Sequence, residues 1–122
     1  MAKWKRQRRF FEKLWASEKA QVMTYEVYDA ETVARSLAEL DGWELSADGL
    51  AIRKTFKFVS FARAFSFMTE CALAAERLDH HPDWSNSYSR VDVKLTTHSR
   101  KRLTDRDFKL AAAMDEAWLH CL

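Results

Sequence analysis

Apolar residues recur along this chain with two different periods, and the switches between them mark its elements. Val33, Leu37 and Leu40 fall three and four residues apart behind Asp29, which is placed to cap them, so the spacing predicts a helix over residues 30–40. Gly42 in "DGW" stops it. The period then drops to two. Trp43 to Ser46 is a short strand candidate, "SADG" is a turn, and "LAIRKTFKF" alternates, with Ile52, Phe56 and Phe58 on one side and Arg53, Thr55 and Lys57 on the other. Ser60 caps a second predicted helix, over 61–78, whose expected buried stripe is Phe61, Phe65, Met68, Ala72 and Ala75, with Cys71 beside it. "RVDVKLTTH" alternates again, Val91, Val93 and Leu95 inward and Asp92, Lys94 and Thr96 outward. The closing stretch "LTDRDFKLAAAMDEAWL" reads as a helix opened by a Thr104/Asp107 capping box.

With a further strand in "WSNSY", these elements predict an α+β domain. It has two layers, an antiparallel four-stranded sheet with helices on one face, and a ββαββα core preceded by helices. Ahead of it, Trp4, Phe11, Leu14 and Trp15 sit near helical spacing. We therefore read residues 1–24 as a basic amphipathic extension, expected to be helical, and 25–122 as the domain.

Composition supports one globular unit. Of 122 residues, 48% are apolar and only three are Gly or Pro, too few for a disordered chain. The net charge of +2 hides an asymmetry. Residues 1–24 hold seven Lys/Arg against Glu12 and Glu18, a balance of +5, and the other 13 basic and 16 acidic residues leave −3. The basic arm admits contact with nucleic acid or an acidic membrane, but a solvated charged face explains it as well. Cys71 and Cys121 make no disulfide framework, and no apolar run approaches a membrane span. The expected compartment is the cytoplasm. Organellar import stays open because "KWKRQRRFFEKLW" is Arg-rich, although Glu12, Glu18 and the scarcity of Ser argue against it.

The chemistry concentrates in "ERLDHHPDWSNSY", Glu76 to Tyr88. Pro82 holds His81 in extended geometry, where neighbouring side chains point to opposite sides. His98 ends the later strand on its outward side. Three readings are open: helix-end and surface histidines, metal ligands, or a general acid/base pair. Adjacent histidines splayed by an extended backbone converge poorly on a metal, and neither cysteine has ligand spacing. Imidazole's near-neutral pKa suits proton transfer.

Four segments in order, "ELDGWEL", "IRKTFKF", "AFSFMTECALAAERLDHHPDWSNSYSRVDVKLTTH" and "LTDRDFKLA", carry a closer resemblance. From about Ala38 to the last helix, the chain resembles the pterin-4a-carbinolamine dehydratase family. The resemblance implies dehydration of 4a-hydroxytetrahydropterin to quinonoid dihydropterin, recycling the cofactor of aromatic amino acid hydroxylases, with no metal and no organic cofactor. It places the family's active-site histidines on His80, His81 and His98. Lining or supporting positions fall on Glu76, Asp79, Pro82, Trp84 and Asp107. We expect His81 and His98 to transfer protons, His80 to assist, and Trp84 to wall the pterin.

The resemblance further implies homodimers or homotetramers, with an aromatic amino acid hydroxylase or a transcription factor as further partner. The alternative function is therefore a dimerisation or assembly module on the same fold. One departure stands out: "SRKR" follows His98, with Lys101 and Arg102 where the family commonly has glycine. A left-handed backbone at either position would carry strain.

Overall fold

The computed structural model describes residues 25–122, so the expected N-terminal helix lies outside the described residues. Helix α1 spans Ala30–Glu39 and packs through Val33. Its cap is the expected one, the Asp29 carboxylate accepting from the Thr32 amide. Strands β1 (Glu44–Leu45) and β2 (Ile52–Lys57) form a hairpin, followed by α2 (Phe61–Leu78). Strands β3 (Asp83–Ser87) and β4 (Arg90–Leu95) and helix α3 (Asp105–His120) complete the chain.

The sheet is antiparallel throughout, in the order β1-β2-β4-β3. Alternation fixes its faces. Ile52, Phe56, Val91, Val93 and Leu95 are buried under the helices, while Arg53, Thr55, Lys57 and Arg90 stay on the open side. The architecture is the α+β two-layer fold that the periodicity predicts.

Gly42 shows why the first crossing is tight. It takes a φ of +79°, and a Cβ there would meet Lys54 Cε at 3.2 Å. Lys54 is held by Asp115 at 2.7 Å and the Asp41 carbonyl at 2.6 Å, and Trp43 Nε1 also donates to Asp115. Together they pin β1 and β2 to α3.

The stripe expected on α2 is corrected. Its buried face is Ala64, Phe67, Cys71, Ala74 and Ala75, and Phe61 and Phe65 are 47% and 55% exposed. Ala72 is also exposed and Met68 only half-buried, so Ala75 alone of the expected stripe is fully enclosed. The two stripes share one period and differ by about one residue of helix rotation. Small residues win the inner face because alanines let α2 approach β4 and α3, leaving room for the single ring of Phe67 against Phe56 and Phe58. Burial pushes the Cys71 thiol up to about 12, which leaves it a packing group.

Candidate active site

The three histidines lie around the end of α2, the start of β3 and the stretch beyond β4, and each faces a carboxylate. Their placement starts with Asp79. It takes a left-handed φ of 50° at the end of α2. The amides of Asp79 and His80 bond back to the carbonyls of Glu76 (3.2 Å) and Ala75 (3.0 Å), closing a Schellman motif. Asp79 is thus a chain-turning residue with an exposed side chain. Pro82 then steers the chain into β3. Across this extended junction His80 is turned in, only 6% exposed, and His81 out.

His80 Nε2 lies 2.6 Å from Oδ1 of Asp107, whose carboxylate is fully buried. Oδ2 of Asp107 accepts from the Thr97 hydroxyl (2.7 Å) and from the Thr104 amide (2.9 Å). The capping box read from the sequence is present, and the same carboxylate that caps α3 holds a histidine. His81 Nε2 pairs with Glu76 Oε1 at 2.8 Å in an exposed contact. His98, beyond β4, reaches Asp83 Oδ2 at 3.2 Å, which draws it to the residue next to Pro82.

Trp84 is half-buried and packs against the core from its register position opposite Val93, so its ring is first a packing element. An open concavity of about 840 Å³ lies over the sheet, lined by residues including Arg53, Lys57, Asp83, Trp84 and Lys94. None of the three histidines lines it.

Sequence reasoning missed Thr97, Asp83 and Arg106. Thr97 was legible as the inward neighbour of His98, but its bond to Asp107 depends on tertiary packing. Arg106 is 2% exposed, its guanidinium 3.8 Å over the Tyr25 ring, and its Nη2 has no hydrogen-bond partner among the described residues. In the Lys101–Arg102 pair, Lys101 takes the left-handed conformation (φ 52°), whereas Arg102 bridges Thr97. No group of three or more His, Cys, Asp or Glu among the described residues is placed to hold a metal, and no helix among them is long and apolar enough to cross a membrane.

Comparison with known proteins identifies the class of this two-layer α+β domain. The family model for pterin 4 alpha carbinolamine dehydratase matches residues 26–117. A Sinorhizobium fredii protein named for the same dehydratase is 57% identical over 95 residues, 78% of this chain and 90% of the relative. A similarly named Rhizobium meliloti protein is 55% identical over the same length, covering 78% and 91%. The crystal structure of a transcriptional coactivator/pterin dehydratase from Brucella melitensis superposes with a TM-score of 0.73 at 43% identity, covering 75% of this chain and 98% of that one. A pterin dehydratase-like protein described as a RuBisCO assembly factor of the α-carboxysome, 21% identical with a TM-score of 0.55 over 62% of this chain and 88% of its own, shares the fold. The chain belongs to the pterin-4a-carbinolamine dehydratase family, and with it to the hydro-lyases.

Proposed function

We propose that this protein dehydrates 4a-hydroxytetrahydropterin to quinonoid dihydropterin by histidine acid/base catalysis, giving the dihydropterin that a separate reduction returns to the tetrahydro cofactor of an aromatic amino acid hydroxylase. In this reaction the C4a–O bond breaks as the hydroxyl leaves as water, and a ring N–H gives up its proton. One imidazole delivers a proton to the oxygen and another accepts the proton from nitrogen. The buried 2.6 Å contact between His80 and Asp107 carries the reading, because a carboxylate locked behind an imidazole supports the positive charge the ring acquires as a base. This geometry favours a division of labour different from the one expected from sequence. His80 removes the nitrogen proton, exposed His98 protonates the hydroxyl, and His81 with Glu76 contacts another edge of the pterin. No step requires a metal or organic cofactor. Family match, identity above 50% and the fold all support the reading.

The test is a coupled assay following loss of 4a-hydroxytetrahydropterin. The protein accelerates it, and His80→Gln and His98→Gln each cut turnover at least about tenfold while the melting curves show folded protein. Acceleration that survives the double substitution contradicts the mechanism.

One observation favours a second, compatible role. Phe61 and Phe65 pack as a tilted pair, ring centroids 5.7 Å apart, on the solvent side of α2, with exposed Val59 and Leu73 near them in sequence. Such a face suits a homodimer, a homotetramer or a protein partner such as a transcription factor. Residues 25–122 suffice for the chemistry in this proposal, because Glu26, Val27 and Tyr28 already tie the start of the domain to Leu103–Asp105. The basic arm makes no contribution to turnover, and the unpaired Cys71 and Cys121 agree with a cytoplasmic setting.

A further inference from the structure

The proton order around Asp107 is fixed by chemistry, and it reaches further than a cap. Among the described residues, its ionised carboxylate accepts from three partners: His80 Nε2 at 2.6 Å, Thr97 Oγ1 at 2.7 Å and the Thr104 amide at 2.9 Å. A carboxylate has no proton to give, so Thr97 must donate to it. The Thr97 oxygen, with its own hydrogen committed, then accepts from the Thr104 hydroxyl at 2.8 Å. The Thr104 oxygen in turn accepts from the Arg106 amide at 3.3 Å. Every hydrogen in the chain therefore points toward Asp107. By the same logic His80 Nε2 carries its proton, and the neutral ring keeps its lone pair on Nδ1.

We propose that Thr97 is a positioning residue that, through Asp107, holds neutral His80 as its Nε2–H tautomer and so makes Nδ1 the atom that takes the substrate's proton. Nδ1 makes no hydrogen bond to a described residue. It is the ring nitrogen that the Asp107 contact leaves uncommitted. Thr97 is itself 1% exposed, held inward by the alternation that buries Val91, Val93 and Leu95 and turns His98 outward. One strand end thus orients two histidines: His98 directly, and His80 through a hydroxyl and a carboxylate. Without the Thr97 donor, Oδ2 keeps only the Thr104 amide, the carboxylate is held less tightly, and the tautomer preference weakens. In the reaction, a ring N–H bond breaks as Nδ1–H forms, Asp107 stays ionised beside the new imidazolium, and water later removes the proton.

This inference rests on the dehydratase reading for its catalytic half, and the experiment separates the two. Long-range ¹H–¹⁵N spectra of the full-length ¹⁵N-labelled protein in alkaline buffer resolve the four histidines, with His80 assigned by its loss in His80→Gln. The expected spectrum shows His80 protonated on Nε2. Thr97→Val gives mixed tautomers and a kcat lowered about tenfold with little change in KM, and Thr97→Ser restores both. A wild-type His80 protonated on Nδ1 overturns the proposal whatever the activity, and so does a folded Thr97→Val with unchanged tautomer and unchanged kcat. If Thr97→Val fails to fold, the wild-type spectrum and the Thr97→Ser rescue decide alone. The expected tautomer pattern in a protein that never turns over the pterin refutes the dehydratase reading and upholds the positioning of His80.

Discussion

Nε2 of His98 sits 3.2 Å from Oδ2 of Asp83, although the two lie fifteen positions apart across a hairpin. Both side chains are mostly exposed, at 73% and 55%, so the contact adds little to stability. What it does is aim a strand-end imidazole at the segment that carries His80 and His81. Asp83→Ala should therefore leave stability within about 0.5 kcal/mol of wild type. Turnover should fall several-fold. A chemical melt beside the coupled assay measures both, and an unchanged rate would remove Asp83 from the site.

Asp107 presents the opposite balance. It is fully buried and satisfies the Thr97 hydroxyl, the Thr104 amide and the His80 ring. Asp107→Ala strands those donors and removes half of a capping box, and should destabilise the fold by about 3 kcal/mol. Asp107→Asn preserves the shape, so its stability loss should be clearly smaller in the same urea titration.

The turn after His98 carries strain at one position. Lys101 holds φ at 52°, which costs a non-glycine residue about 1 kcal/mol. Lys101→Gly should raise stability by about that amount. Arg102 has no such conformation and bridges Thr97, so Arg102→Gly should bring no comparable gain. Equal melting temperatures for wild type and Lys101→Gly would mean that the basic side chains have rebuilt the turn.

Two phenylalanines two residues apart on α2 should respond very differently. Phe67 is enclosed by Phe56 and Phe58, and Phe67→Ala should cost about 3–5 kcal/mol. Phe65→Ala removes an exposed ring and should cost less than about 1 kcal/mol in the monomer. If Phe65 lies in an interface between copies, its substitution instead shifts the sedimentation profile.

These two residues also show where the sequence was legible. Strand faces, helix caps and the α+β layering follow from period, alternation and Asp29, Ser60 and Thr104, all local signals. The rotation of α2 was not local. Phe61 and Phe65 and the alanine face fit the same period, and only docking against β4 and α3 decides between them. The site divides likewise. The HHP segment and His98 were visible as residues, and Pro82 separated the two rings correctly. That Asp107 pairs with His80 across a sequence separation of 27, and that Thr97 completes the set, depends on how α3 meets the end of β4.

His120 offers a pH signature away from the site. Its hydrogen bond to Glu70 at 2.6 Å, reinforced by the Glu70 charge, raises its pKa above the ordinary 6.5. A raised folded-state pKa means stabilisation that is fully present below pH 6.5 and is lost as pH climbs through the folded value. Wild type minus His120→Gln, measured by urea melts across this range, should isolate that decline. A flat difference would show that the α2–α3 contact does not form in solution.

The central claim is that a histidine backed by a buried carboxylate drives loss of water from a pterin carbinolamine. Its most direct measurement is the rate of 4a-hydroxytetrahydropterin loss with wild-type protein and with the folded His80→Gln, His98→Gln double variant. Acceleration over the uncatalysed background by wild type, with at least about a hundredfold loss in the variant, is the predicted result. Equal rates for the two proteins would contradict it.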